Sequence, residues 1–306
     1  MTDKIVIGTR GSKLALVQAE WVRQQLQRKH PGIDTQLEII RTTGDVKPDP
    51  LSVIGGKGVF TKELEDALGR RQIDVAVHSL KDLPTIIGDD LQLTAICERE
   101  DARDALILPA TADNDVSSLS SLPHAAIVGT SSPRRVAQLQ NIRPDVVVKD
   151  LRGNVDTRLR KLDEGQCDAL ILASAGLRRL GLTKRINLHI AIEQMLPAVG
   201  QGAIGLQTRG DDARVNDIVS QLNHDQTGLA CTAERALLRA LGGGCQLPIA
   251  AHATIVGSEL TLDGLVASRD GSNIIRDRIA GPAAHAQSLG NELGARLLAQ
   301  GAAQLL

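Results

Sequence analysis

Residues 5–18, IVIGTRGSKLALVQ, contain the transition that decides the fold. The apolar, β-branched run that leads to Gly8 and Thr9 predicts a buried strand. After Ser12 the apolar residues recur at helical spacing, which predicts a helix whose buried face holds Ala15, Ala19, Val22 and Leu26. Strand-like and helix-like segments alternate beyond this point, and the alternation predicts an α/β fold with parallel sheets covered by helices.

The chain also resembles itself. Residues 126–140, AIVGTSSPRRVAQLQ, repeat the strand, Gly-Thr corner, serine and helix of residues 5–18. Residues 157–174, TRLRKLDEGQCDALILAS, match residues 62–80, KELEDALGRRQIDVAVHSL. The match places Leu68, Gln72 and Asp74 on Leu162, Gln166 and Asp168. The alternative is that any two α/β segments look alike. A true duplication predicts two similar lobes that face each other across a ligand-binding cleft.

Three regions follow from these patterns. We assign the first α/β lobe to residues 1–101 with 200–219, and the second to residues 105–196. From about Asn223 the pattern changes to a helix, three alternating apolar runs and a last helix. Residues 223–306 are therefore expected to form a small α+β domain.

Composition excludes several classes of protein. Aromatic residues make up 1% of the 306 residues and the net charge is −1, so we expect no nucleic-acid partner. No apolar run is long enough to span a membrane, and the opening residues lack a signal-peptide pattern. The four cysteines are far apart, which argues against a metal site and against a disulfide framework. A cytoplasmic location fits these features best.

Basic residues gather where predicted strands meet predicted helices; they include Arg10, Arg134, Arg135, Arg152, Arg158, Arg178 and Arg179. In TSSPRR, residues 130–135, Ser132 suits the N-cap and Pro133 the first helical position. The first N–H groups of such a helix and the nearby arginines attract anions. A solvated charged face is the alternative for each arginine, but the repetition at several corners favours an anion-binding cleft.

The motif SLKDLP places Ser79, Lys81 and Asp82 just after a predicted strand. An acid among many basic residues is either their salt-bridge partner or a catalytic carboxylate, and the sequence leaves both interpretations open.

Two glycine-rich motifs need separate interpretations. GGKGVF carries Lys57 and Phe60, lacks the spacing of a P-loop, and is better interpreted as a mobile lid. VGQGAIG matches the glycine spacing of a dinucleotide fingerprint, but it runs into a strand-like segment rather than a helix. A crossover between lobes explains its glycines better.

In LGGGCQLP, residues 241–248, Cys245 follows three glycines. A glycine run is typical of mobile backbone, so we expect this cysteine to be accessible rather than packed. Metal and redox roles lack partner residues in the sequence. Cys245 is therefore either inert or alkylated once by a strong electrophile.

Together, LGGGCQLP, SLKDLP, GTSSPRR, LRGNVDTRL, GGKGVF, AGLRRLGL and LPAVGQGA make the chain resemble the porphobilinogen deaminase family over nearly its whole length. One departure is Gly242, where the family often has an acidic or polar residue. The resemblance implies two lobes similar to type II periplasmic binding proteins and a third domain whose cysteine, here Cys245, holds a dipyrromethane cofactor by a thioether. It implies a monomer that condenses four porphobilinogen units head to tail, with loss of ammonia, and releases hydroxymethylbilane.

The resemblance also implies roles for individual residues. Asp82 would be catalytic, because it would stabilise positive charge on the pyrrole that loses ammonia. Cofactor contacts are implied for Ser79, Lys81, Asp82, Thr130, Ser131, Ser132, Arg134, Arg135, Arg152 and Cys245. Substrate contacts are implied for Arg10, Ser12, Arg158, Arg179 and Gln201, and lid positions for Lys57 and Phe60. The competing class is a non-catalytic, two-lobed receptor for anions.

Overall fold

A computed structural model describes residues 4–42, 61–112, 116–244 and 246–306. Lys57, Phe60 and Cys245, to which the sequence assigns roles, lie outside the described residues. Within the described ranges, no helix has both the length and the apolar character needed to cross a membrane.

The strands of the described residues are β1 (Lys4–Thr9), β2 (Asp34–Ile39), β3 (Val75–Ser79), β4 (Leu91–Ile96), β5 (Asp104–Ile107), β6 (Ile127–Gly129), β7 (Val147–Lys149), β8 (Ala169–Ala173), β9 (Leu188–His189), β10 (Ile204–Arg209), β11 (Ile249–Val256), β12 (Glu259–Ala267) and β13 (Ile274–Pro282). The α-helices are α1 (Lys13–Lys29), α2 (Lys62–Gly69), α3 (Pro133–Ile142), α4 (Val155–Asp163), α5 (Ser174–Arg179), α6 (Ala213–Ser220), α7 (Asp225–Ala240) and α8 (Ala286–Ala299). A single-turn 3₁₀ helix, Leu80–Asp82, follows β3.

The chain divides into two compact units. The first unit consists of Met1–Glu100 and Ala203–Cys231, and the second of Asp101–Gly202 and Thr232–Leu306. VGQGAIG ends in β10, which confirms that this motif leads into a strand.

The first unit is built on a five-stranded sheet with the order β2-β1-β3-β10-β4. β1 pairs in parallel with β2 and β3, whereas β10 is antiparallel to both of its neighbours. The buried face of α1 covers this sheet with the four predicted residues, Ala15, Ala19, Val22 and Leu26. The core is aliphatic, as the shortage of aromatic residues requires.

The second unit repeats this plan. Its first sheet has the order β7-β6-β8-β5-β9, with β6 parallel to β7 and β8, and β5 antiparallel to both neighbours. Each strand of the first sheet therefore has a counterpart in the second. The prediction of two similar α/β lobes is confirmed.

Asp74 and Asp168, the aligned acids of the repeat, make equivalent hydrogen bonds in the two units. Asp74 Oδ2 accepts the N–H of Val6 at 2.9 Å, and Asp168 Oδ2 accepts the N–H of Ile127 at 2.7 Å. Asp74 thus fixes the start of β3 against β1, and Asp168 fixes the start of β8 against β6. A short polar side chain that bonds to backbone is a local device, so the sequence pattern could reveal it.

The second unit also holds a separate sheet of three antiparallel strands, β11-β12-β13. Helix α8 packs closely on α7 because two glycines of α8, Gly290 and Gly294, face α7. A Cβ atom added to Gly290 would lie 2.7 Å from the Cβ of Ala236, and a Cβ atom added to Gly294 would lie 2.5 Å from the Cβ of Ala240. This close approach fixes the end of α7, which precedes Cys245 in the sequence.

Candidate active site

The first-unit corner, residues 9–12, joins β1 to α1. Thr9 is buried and its hydroxyl donates to the carbonyl of Ala15 at 3.0 Å. Ser12 is the N-cap, and its Oγ accepts the N–H of Ala15 at 3.3 Å. The half-buried Arg10 lies between these fixed residues. It therefore stands at the carboxyl end of a parallel strand, where α/β sheets bind ligands.

Ser79, Lys81 and Asp82 follow one another at the end of β3. Ser79 Oγ lies 3.0 Å from Nε2 and 3.1 Å from Oε1 of Gln18, a buried residue of α1. The next side chain, Leu80, is buried and anchors the 3₁₀ turn in the core. The turn consequently holds Lys81 and Asp82, both half-buried, next to Ser79.

Asp82 makes no hydrogen bond and no ion pair through its side chain within the part of the chain that the structure describes. The sequence left two interpretations of this acid open, a salt-bridge partner and a catalytic carboxylate. A salt-bridge partner would need a basic side chain within contact distance. The residues that the structure describes therefore supply no ion-pair partner for Asp82, and its catalytic role stays a prediction.

The second-unit corner, residues 130–135, joins β6 to α3. Helix α3 begins directly after Ser132, which is the N-cap as predicted, but the Ser132 hydroxyl makes no capping bond. Instead the N–H of Ser132 donates to Thr130 Oγ1 at 3.3 Å, and Ser131 Oγ donates to the carbonyl of Leu151 at 2.8 Å. The Ser132 hydroxyl therefore lies at the positive end of the α3 dipole and makes no capping hydrogen bond to α3.

Behind this corner, Arg134 and Arg135 of α3 have buried side chains. Asp104, the first residue of β5, lies between them and is fully buried. Its Oδ2 is 2.7 Å from Arg134 Nη1, and its Oδ1 is 2.7 Å from Arg135 Nη2. Burial acts to raise the pKa of Asp104, but the two guanidiniums outweigh it and hold that pKa well below its ordinary value. The carboxylate is thus ionised across the ordinary pH range.

The two arginines differ in how many donors are engaged. Arg135 places Nε and Nη2 on Asp104 Oδ1 at 3.1 and 2.7 Å, and Nη1 on the carbonyl of Ile171 at 3.0 Å. Arg134 places Nη1 on Asp104 and on a backbone carbonyl. Its Nε is buried without a partner among the described residues, and its Nη2 reaches only Gln201 Oε1, at 3.5 Å.

Gln201 is buried and belongs to the same group. Its Nε2 donates to the carbonyl of Ala102 at 2.7 Å and to Asp104 Oδ1 at 2.9 Å. We call Asp104, Arg134, Arg135 and Gln201 the arginine cluster. Two guanidiniums and one carboxylate give the cluster one surplus positive charge.

Three further arginines of the second unit bond to the protein through at least one donor. Arg152 Nε lies 2.9 Å from Asp150 Oδ2, Arg158 Nε donates to the carbonyl of Gly153 at 2.8 Å, and Arg179 Nη2 donates to a backbone carbonyl at 2.8 Å. Each side chain is half-buried and held in one direction. The structure therefore places these predicted site residues in the second unit.

The glycine run before Cys245 is more ordered than its composition suggests. Gly242 has φ of +64°, and its N–H donates to the carbonyl of Arg239 at 3.0 Å. The N–H of Gly243 donates to the carbonyl of Leu238 at 2.9 Å. These two bonds form a Schellman motif that closes α7, and the left-handed φ explains why glycine stands at position 242. The expectation of mobile backbone is wrong for Gly242 and Gly243.

Glu234 of α7 and Asp104 are the buried acids that sequence reasoning missed. The two carboxylate oxygens of Glu234 accept the N–H groups of Gly200 at 2.7 Å and Ala253 at 2.8 Å. Glu234 thereby ties α7 to the segment before Gln201 and to β11. An acid within an apolar strand or helix face is the signal that could have identified both, because a buried carboxylate needs partners.

Comparison with known proteins gives consistent matches. Residues 5–217 match the family model described as porphobilinogen deaminase, dipyromethane cofactor binding domain, and residues 228–299 match the model of the C-terminal domain. The chain is 50% identical over 301 residues to a porphobilinogen deaminase of Pelobacter propionicus, covering 98% of this chain and 95% of that protein. It is 47% identical over 305 residues to one of Geobacter sulfurreducens, covering 99% and 94%. Among solved structures, the methionine-binding protein MetQ is 14% identical with a TM-score of 0.45, over 72% of this chain and 90% of that chain, a likeness too weak to support an argument.

Proposed function

The chain belongs to the porphobilinogen deaminase family, and from this premise we infer that it joins four porphobilinogen units head to tail. One ammonia is lost at each addition, and hydrolysis releases hydroxymethylbilane. The observation that carries this function is the pair of family matches, which cover the cofactor-binding part and the C-terminal part of the chain. The enzyme is a transferase of tetrapyrrole biosynthesis. The receptor alternative is not favoured, because the relatives are deaminases over nearly the whole length.

The cofactor of this family is dipyrromethane, whose two pyrroles carry acetate and propionate groups. When bound, it supplies the pyrrole carbon to which a substrate unit is added. The second unit offers a donor set that suits such carboxylates: the Ser132 hydroxyl at the positive end of α3, and the surplus positive charge of the arginine cluster. The residues present therefore fit this group.

We assign the covalent bond to Cys245, whose sulfur would form a thioether with the cofactor. The Schellman motif at the end of α7 supports this assignment, because it fixes Gly242 and Gly243 just before the cysteine. Contacts to the cofactor are assigned to Ser79, Lys81, Asp82, Thr130, Ser131, Ser132, Arg134, Arg135 and Arg152. Each of these side chains carries an O–H or N–H donor, which in Ser131 is bonded to the carbonyl of Leu151, except Asp82, which can accept from pyrrole N–H groups.

Asp82 is assigned the catalytic role. Loss of ammonia from porphobilinogen leaves positive charge on the pyrrole ring, and a carboxylate fixed nearby stabilises that charge as it develops. The 3₁₀ turn supports this role because it holds the carboxylate by buried backbone anchors rather than by an ion pair in the described residues. A preorganised carboxylate needs no reorganisation when the charge appears.

Substrate carboxylates are assigned to Arg10, Ser12, Arg158, Arg179 and Gln201. Gln201 would act through Arg134, because its amide is bonded to Asp104 and faces that guanidinium. The lid assignment of Lys57 and Phe60 remains a proposal about residues outside the described ranges.

Organisation and location are also proposals. Residues 1–101 with 200–219, 105–196 and 223–306 would act as three domains, which agrees with a separate family model for residues 228–299. We propose a cytoplasmic monomer whose partner is porphobilinogen, with no nucleic acid, membrane or metal involved.

Intact mass spectrometry of the purified protein tests this function. Wild type should carry a covalent adduct of dipyrromethane mass, and Cys245→Ser should carry none, should remain folded, and should lose nearly all turnover. Because the sequence predicts an accessible side chain at this position, the change should cost less than about 0.5 kcal/mol of stability. Matched controls are Cys97→Ala, Cys167→Ala and Cys231→Ala, since these cysteines are buried in the cores. An adduct that disappears with one of these three, or normal turnover by Cys245→Ser, would contradict the assignment.

A further inference from the structure

We propose that Asp104 is a positioning residue that fixes the side chains of Arg134 and Arg135 for the carboxylates of the bound pyrroles. The inference rests on the proposed function of the arginine cluster. It adds a residue that touches neither substrate nor cofactor and acts through the two arginines.

The need for an acid at this position follows from the burial of the arginines. Arg134 and Arg135 are adjacent in α3, and both side chains are almost fully buried. Two guanidiniums that contact the same carboxylate lie close together, and they repel each other strongly where little water can screen their charges. Asp104 offers one oxygen to each of them at 2.7 Å, which offsets the repulsion and sets the direction of both side chains.

The charge balance distinguishes this cluster from a purely structural ion pair. Arg209 of the first unit is equally buried, and it bonds to two acids, Asp74 Oδ1 at 2.8 Å and Asp212 Oδ2 at 2.7 Å. Both Arg209 and Arg134 have an Nε without a partner in the described residues, so an unpaired Nε alone does not indicate a ligand. The Arg209 group has a surplus of negative charge, whereas the arginine cluster has a surplus of positive charge.

A surplus positive charge in a buried group is costly unless a further anion neutralises it. Asp104 therefore reduces the net charge of the arginine cluster from +2 to +1, so that one further carboxylate can neutralise it. The remaining donors that could meet this carboxylate are Arg134 Nε and the weakly held Nη2. Asp104 thus determines both the orientation of the arginines and the charge that the site accepts.

The experiment compares Asp104→Asn with Asp74→Asn, which removes a half-buried acid that is ion-paired with Arg209 in the other unit. Each variant is purified like the wild type and characterised by its adduct fraction from intact mass, its melting temperature, and its kcat and KM for porphobilinogen. A charge-assisted hydrogen bond contributes about 1.5–3 kcal/mol, which corresponds to about 10- to 150-fold in KM. We expect Asp104→Asn to lower the adduct fraction and to raise KM by this factor. Asp74→Asn should lower only the melting temperature.

Asp104→Glu provides the rescue. It retains the charge one methylene further out, so its adduct fraction and KM should lie between those of wild type and Asp104→Asn. If Asp104→Asn does not fold, Asp104→Glu decides by the same two measurements. Wild-type adduct fraction and KM in the folded Asp104 variant, with only the melting temperature lowered as in Asp74→Asn, would overturn the inference while the proposed function stands. A wild type without adduct would overturn the proposed function itself.

Discussion

Strands β5 and β10 occupy the same place in the two similar sheets, each as the fourth strand and antiparallel to both neighbours. Their first residues, Asp104 and Ile204, pair with the last residues of β8 and β3, Ala173 and Ser79. Asp104 lies between two buried arginines, whereas Ile204 packs in an aliphatic core. One backbone plan thus supports a buried charge at the start of the fourth strand in the second unit and an apolar side chain at the same place in the first.

Ile204→Asp tests this comparison most directly. It places an acid at the position equivalent to Asp104, but without arginines, at a site that is 2% exposed. An uncompensated buried charge costs about 3–5 kcal/mol, so we expect the free energy of unfolding to fall by this amount. Ile204→Val is the control, with an expected cost of about 0.5–1.5 kcal/mol. Equal denaturant midpoints for the two variants would show that position 204 tolerates a buried charge.

Asp82→Asn tests the acid that the first unit carries in its 3₁₀ turn. Loss of a preorganised electrostatic group lowers the rate by about 10²–10³, or about 3–4 kcal/mol, and we expect this loss with an unchanged melting temperature. Asp82→Glu keeps the charge and should retain more activity than Asp82→Asn. Single-turnover consumption of porphobilinogen measures both, with the adduct confirmed by mass beforehand. Similar rates for Asp82→Asn and wild type would leave this acid without a catalytic role.

Acid should act on the buried carboxylate of Asp104 and not on the apolar position of Ile204. The pKa of Asp104 is depressed in the folded protein, so its stabilisation is complete above the unfolded value of about 4 and is lost as the pH falls below it. The difference in unfolding free energy between wild type and Asp104→Asn should be constant from pH 7 to about 4, then narrow by at most about 1.4 kcal/mol per pH unit. Chemical denaturation across this range measures it.

Ile204→Val serves as the reference for this pH series. Its difference from wild type should not vary with pH, because no titratable group is changed. If the difference in unfolding free energy between wild type and Asp104→Asn stays constant down to pH 3, this result would contradict the depressed pKa of Asp104.

The two N-cap serines give the smallest expected difference. Ser12 caps α1 with its side chain, whereas Ser132 makes no capping bond to α3. Ser12→Ala should lower the free energy of unfolding by about 1 kcal/mol. Ser132→Ala should change it by less than about 0.5 kcal/mol. Thermal unfolding of both variants decides this, and an equal loss would show that Ser132 caps its helix in solution.

Much of the fold could be predicted from local pattern. The strand of residues 4–9, the helix after Ser12 and the repeat that aligns Asp74 with Asp168 depend on residues close in sequence, and the structure confirms them. The candidate site was predicted as a set of residue types at strand-to-helix corners. Its contacts could not be predicted, since Asp104 lies about thirty residues before the arginines that it binds.

The sequence by itself determined the α/β alternation, the duplication, the helix starts and the family, because periodicity and short motifs are properties of neighbouring residues. Only the tertiary structure decided which charges are buried together. It placed Asp104 between Arg134 and Arg135, left Asp82 without an ion pair in the described residues, and fixed Gly242 and Gly243 in a helix cap. The physical reason is that charge pairing and backbone closure depend on distance in space, and folding brings together residues that the sequence keeps far apart.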